Sequence, residues 1–212
     1  MQFEKKEKEL IFVKYKKIIA IGIILLMLGT ASFYLKNNLK IKEEKVNEAK
    51  IEEYFNVELS SEQINGVKTI TENKKSSDEY IGVLEIPKIS LKRGFVNPDS
   101  KRNHVDYNIQ ILKSELPNIE FGNFILASHS GNGKNAYFNN INKLNQGDII
   151  YIYYDGIRYE YKVLKKEKQA KDGKLILKKE QTSTYLTLTT CDKNNKAKQL
   201  VIYSKLVLKS KY

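Results

Sequence analysis

The stretch TLTTCDKNNKAKQLVIYS, residues 187–204, sets two apolar runs around a polar segment and holds the chain's single cysteine, Cys191. β-branched and aromatic residues suit a pleated, half-buried surface. YLTLTT (185–190) and QLVIYSKLVL (199–208) therefore read as strands, with the thiol at the end of the first. A lone thiol there supports two readings: a small buried hydrophobe, or a nucleophile that needs a base beside it. One cysteine excludes an intrachain disulfide. Together with two histidines it also falls short of the usual four-ligand Cys/His zinc site.

Working outward, the same short β-type runs recur from Tyr80 onward. YIGVLEIP (80–87) is a strand stopped by Pro87, and FILAS (124–128) is a fully apolar one. DIIYIYY (148–154) and IRYEYKVL (157–164) flank Asp155-Gly156, a two-residue hairpin signal. In the second, Ile157, Tyr159, Tyr161 and Val163 alternate with Arg158, Glu160 and Lys162, so one face is buried and the other wet. KDGK (171–174) is another turn, followed by KLILKK, and YFNNINKL (137–144) predicts a short helix. Many short strands with few helices indicate an all-β domain, a closed barrel or a sandwich.

Upstream the character differs. IIAIGIILLMLGTASFYL (18–35) is uncharged throughout and bracketed by Lys16, Lys17 and Lys36. A helix of this length just spans a hydrocarbon core, and a soluble helix would not be apolar on every side without a partner. The expected layout is a short basic tail (1–17), a transmembrane anchor (18–35), a charged stalk or linker (36–79) and the all-β domain (80–212). A small-residue site near Ala31 leaves cleavage open, and a retained single-pass anchor is the expectation. The six lysines before the segment favour a cytoplasmic N-terminus, with the folded body on the extracellular side.

The formal net charge is +12, and residues 80–212 account for +11 of it. A lysine-coated face suits anionic polymers or membrane surfaces through long-range attraction, and it equally serves as a plain soluble surface. No nucleic-acid recognition motif accompanies the charge, so nucleic acid is excluded as a partner class.

Only His104 and His129 can serve as a base for Cys191. His104 lies in KRNHVDYN, a polar stretch with turn character, and reads as a surface residue. His129 follows an apolar strand in FILASHSGNGKNAYF, where a strand end holds the imidazole and leaves its edge open. Ser128 and Ser130 form no G-x-S-x-G elbow, and the Gly131–Lys134 run lacks phosphate-loop spacing. A Cys–His nucleophile and acid/base pair is what remains.

TLTTC resembles the TLxTC signature of the sortases, membrane-anchored bacterial cysteine transpeptidases. FILASHSG resembles that family's strand-plus-histidine segment, and YIGVLEIPKI its first barrel strand. The likeness covers about residues 80–208 and keeps the family's anchor, stalk and barrel order. It implies an eight-stranded closed β-barrel with the site in a cleft on its wall. It further implies that Cys191 attacks the carbonyl of an LPxTG-type sorting motif to form a thioacyl-enzyme. His129 then protonates the leaving amine and deprotonates the incoming one. Partners implied are surface proteins or pilins bearing the motif, and an amine from a cell-wall precursor or a pilin lysine. No cofactor is required. Thr190, next to the nucleophile, and Lys198 are the implied substrate contacts.

One departure stands out. Sortases place an arginine on the strand after the cysteine, and here Gln199 occupies that position with Lys198 beside it; no arginine follows Arg158. Three readings stay open. Gln199 serves as a neutral hydrogen-bond donor to the oxyanion; Lys198 swings in as the cation; or the chain is a catalytically impaired anchored barrel that binds a partner. A different Cys/His cell-wall peptidase is a further alternative, which the TLTTC context disfavours.

Overall fold

The structure is a computed structural model that describes residues 2–63, 79–177 and 182–212. The chain divides into two compact units, residues 1–46 and 47–212. A single helix, α1 (Gln2–Gln63), supplies the whole of the first and the beginning of the second. No proline interrupts it. Its segment 18–35 is exposed on all sides, and it is long and apolar enough to cross a membrane.

The second unit is a single eight-stranded sheet: β1 (Tyr80–Ile86), β2 (Leu91–Val96), β3 (Gln110–Ile111), β4 (Asn123–Ala127), β5 (Ile149–Tyr154), β6 (Ile157–Ala170), β7 (Tyr185–Cys191) and β8 (Lys198–Lys211). Their order is β2-β1-β5-β6-β8-β7-β4-β3. β2 and β3, the ends of that order, lie beside each other, so the sheet rolls into a nearly closed barrel. Closure leaves few unpaired strand edges. All neighbours pair antiparallel except β4 with β7.

Alternation sorts the side chains. Leu84, Phe124, Leu126, Ile152, Leu188 and Ile202 point inward and are fully buried or nearly so. The β5–β6 hairpin turns at Asp155 and Gly156, both in the left-handed region with φ of 53° and 70°. That is the type I′ geometry which matches strand twist. β6 begins with the alternation seen in its sequence: Tyr159, Tyr161 and Val163 join the core. An irregularity between Val163 and Lys165 then shifts the register against β8. Beyond it Lys166 and Lys168 pair with the inward Ile202 and Leu200, while Glu167 and Gln169 pair with Val201 and Gln199 on the outer side. Such bulges re-aim side chains near functional sites.

The remaining expectations fare unevenly. Over 137–144 the predicted short helix is confined to a single 3₁₀ turn, Ile141–Lys143, with turns before it. Phe138, Ile141 and Leu144 are buried at a spacing of three, which suits 3₁₀ geometry, and the interspersed asparagines favour turns. After the 171–174 turn, residues 174–177 form no strand, and 178–181 lie outside the described residues. Within the expected stalk, 36–63 is helical, and 64–78 lie outside the described residues. Ile51 and Tyr54 are buried with Tyr80, Val83 and Val96 against the outside of the barrel. Asn47 Nδ2 donates to Lys92 O at 3.1 Å, and Tyr80 Oη donates to Asn47 Oδ1 at 3.2 Å.

Candidate active site

β7 is buried along its length because it is flanked on both sides, by β4 and β8. Its last residue, Cys191, emerges half-buried with a free thiol. In the parallel ladder β4 runs level with β7, from Asn123 opposite Tyr185 to Ala127 opposite Thr189. The next two residues of each chain continue side by side, which carries His129 to the level of Cys191. Three hydrogen bonds stitch these ends. Ser128 N donates to Thr189 O at 3.4 Å, Thr190 Oγ1 to Ser128 O at 2.7 Å, and Ser130 Oγ to Cys191 O at 2.7 Å.

The imidazole of His129 is about half exposed, and its Nε2 lies 2.8 Å from Asp106 Oδ1. That hydrogen bond, ahead of the charges of His104 and His129, holds the Asp106 carboxyl below the usual carboxylate range. Asp106 is therefore an ionised acceptor at neutral pH, so Nε2 carries the proton and Nδ1 is the basic nitrogen of the neutral ring. Asn135 Nδ2 donates to Asp106 O, and Ser128 Oγ donates to Asn135 O at 3.2 Å, tying the Asp106 loop to the end of β4. His104 is exposed, with Nδ1 3.4 Å from Asp106 Oδ2.

On the other side, β8 pairs Gln199 with Cys191 across the antiparallel ladder. Gln199 Nε2 donates to Ala170 O at 3.0 Å and to Lys174 O at 2.7 Å. An amide nitrogen has two hydrogens, and both are spent there. A different side chain meets the thiol: Lys171 Nζ lies 3.1 Å from Cys191 Sγ. Thr190 is buried, with its hydroxyl bound to Ser128 O. Lys198 is exposed at the start of β8.

A cleft of about 460 Å³ opens beside Cys191, lined among others by Ser130, Asn139, Lys166, Lys168, Thr190 and Asp192. Lys168 Nζ reaches Asp192 Oδ2 at 2.7 Å, and this bond chiefly holds the Asp192 carboxyl low. Among the described residues no cluster of three or more acidic, His or Cys side chains could hold a metal ion.

The sortase-domain family model matches residues 84–207, more than half of the chain. The chain belongs to the sortase family. Sortase A of Bacillus anthracis is 27% identical over 130 residues, which are 61% of this chain and 60% of that protein. This sortase thus spans about 60% of the length of the curated relative it matches. A sortase D5 transpeptidase from Clostridium perfringens superposes with a TM-score of 0.57 at 21% identity, over 77% of this chain and 99% of that one. A lid mutant of sortase A from Corynebacterium diphtheriae superposes with a TM-score of 0.58 at 19% identity, over 64% and 74%. At these identities the two structures bear on the fold.

The sequence brought forward Cys191, His129 and Gln199, and the structure gathers all three at neighbouring strand ends. Asp106 and Lys171 were missed. Each lies in a turn-rich stretch whose spacing gives no hint of a partner more than twenty positions away or, for Lys171, across β8.

Proposed function

We propose that this sortase is a membrane-anchored transpeptidase with Cys191 as nucleophile and His129 as general acid and base. The observation that supports this most directly is the parallel β4–β7 ladder, whose continuation sets an imidazole beside a half-exposed thiol at the rim of a cleft. The thiolate attacks the carbonyl of an LPxTG-type sorting motif, forming an S–C bond. The C–N bond then breaks, and His129 gives its proton to the departing amine. A second amine, from a cell-wall precursor or a pilin lysine, loses a proton to His129 and displaces the sulfur. Segment 18–35 anchors the enzyme in the membrane, with the N-terminus cytoplasmic and the barrel outside.

The test is incubation of the full chain in detergent with LPxTG-type peptides and amine acceptors, read by mass spectrometry. The expected result is a thioacyl adduct on Cys191 followed by a new amide product. Cys191→Ala should abolish both, and His129→Ala should slow transfer by on the order of 10²–10⁴-fold. Transfer retained by the Cys191→Ala protein would overturn the mechanism.

A further inference from the structure

A developing oxyanion beside a thiolate leaves negative charge that a family arginine would ordinarily face, and this chain has no arginine on β8. The cationic side chains near Cys191 differ in where they point. Lys168 is engaged with Asp192. Lys198 lies one residue before Gln199, on the alternate side of the strand. Lys171 meets the thiol itself, with Nζ 3.1 Å from Sγ.

Lys171 reaches the thiol because of where its backbone is held. Lys171 N donates to Ala197 O at 2.8 Å, extending the β6–β8 ladder by one step. Counting along the strand places Lys171 on the outer side, with Gln199 and Cys191. The chain then turns at Asp172 and Gly173, where Lys174 N donates to Asp172 Oδ1 at 3.1 Å and Gly173 takes a φ of 80°. The two carbonyls held by the Gln199 amide, Ala170 O and Lys174 O, flank this turn. One side chain on β8 therefore clamps both ends of the turn that carries the lysine. Further along, Gln169 exchanges hydrogen bonds with Ile176 through Nε2 to Ile176 O at 2.9 Å and Ile176 N to Oε1 at 3.0 Å.

The geometry points to Lys171 as the catalytic cation of this sortase, delivered from the turn after β6, with Gln199 as the positioning residue that latches the turn. This rests on the reading of Cys191 as nucleophile. The ammonium attracts an anionic group brought up to the sulfur. During attack, as the S–C bond forms, it is close enough to donate to the oxygen that gains charge. It keeps all three of its hydrogens, and the proton for the leaving amine still comes from His129. A lysine is a mobile point charge where arginine is a rigid fork, which gives the latch its purpose.

The test reads the charge beside the thiol without needing turnover. Full-length parent and variants are alkylated at neutral pH and low salt with neutral iodoacetamide and anionic iodoacetate. A cation near the sulfur raises the iodoacetate rate relative to iodoacetamide. Lys171→Gln should lower that ratio about fivefold, the order a unit charge a few ångströms away supplies in high dielectric; Lys171→Arg should retain it. Gln199→Ala should lower the ratio in part, and only while Lys171 is present. In peptide transfer, Lys171→Gln should cost on the order of 10²-fold, with partial rescue by Lys171→Arg. An unchanged ratio in Lys171→Gln overturns the assignment whether or not a substrate is found. If that ratio is unchanged while Cys191→Ala abolishes transfer, the nucleophile stands and the lysine falls. If transfer survives Cys191→Ala, the nucleophile falls instead.

Discussion

Asp106 Oδ1 lies 2.8 Å from His129 Nε2, so a loop carboxylate fixes the ring that follows the end of β4. The contact orients the imidazole and sets which nitrogen carries the proton. Asp106→Ala should lower kcat for transfer by about tenfold with KM for the peptide little changed, a fraction of the 10²–10⁴ that a full acid/base group contributes. Asp106→Glu should recover part of the loss. A merely structural loop residue would move the unfolding midpoint instead, so equal kcat in parent and Asp106→Ala would remove its positioning role.

Thr190 lines the cleft beside Cys191, and its buried hydroxyl donates to Ser128 O at 2.7 Å. Replacing it with valine keeps the shape and leaves that carbonyl without its donor. The cost should be about 1–3 kcal/mol in unfolding free energy, measured by denaturant titration. Thr190→Ser keeps the donor and should lose less. If valine were as stable as threonine, the bond between the two strand ends would contribute nothing.

Much of this arrangement was legible in the sequence because it is written in local alternation. β1, β4 to β8 and the Asp155-Gly156 hairpin follow from apolar periodicity and turn chemistry. β2 was obscured, since LKRGFV mixes charges and glycine into a strand whose inward residues come late. β3 is two residues long and exists only through its pairing with β4. Cys191 and His129 could be named because so few residues of their type compete. Lys171 could not, being one of many lysines and sitting in a stretch that reads only as a turn. Nor could Ile51 and Tyr54 be seen docking on the barrel, since a charged helix betrays no partner by itself.

Glu167 Oε2 accepts from Lys165 Nζ at 2.6 Å, and its Oε1 accepts from Gln169 Nε2 at 2.7 Å and Tyr203 Oη at 2.9 Å. These bonds, that of Lys165 foremost, hold its pKa at about 2 against an ordinary 4.5. A depressed carboxylate stabilises the fold above its unfolded pKa and loses that contribution as pH falls toward the folded value. Because Glu167 is about one-third exposed, screening reduces the effect to about 1 kcal/mol. Glu167→Gln should thus be less stable than the parent at pH 7 and equal to it near pH 2, by denaturant titration at each pH. A difference that persists unchanged at pH 2 would mean that the ionised carboxylate is not its source.

The docked portion of α1 gives the last prediction. Tyr54 is buried to 3% exposure beside Tyr80, Val83 and Val96, and Tyr212 Oη donates to its hydroxyl at 2.9 Å. Next to it Phe55, Tyr153 and Tyr212 meet pairwise edge-to-face, with ring centroids 5.2 Å apart. Those contacts cover the outer side of β1 and β2, which alternation would otherwise expose as an apolar patch. Tyr54→Ala in the full chain should lose about 3 kcal/mol, the usual scale for emptying a buried aromatic site. Tyr54→Phe should lose only about 1 kcal/mol, the net value of one hydrogen bond. Gln199 lies at the start of β8 and Tyr212 follows its other end, a whole strand length away, so transfer by the folded fraction of either variant should match the parent. A Tyr54→Ala protein with the parent's denaturation midpoint would show that the helix does not contribute to holding the barrel together.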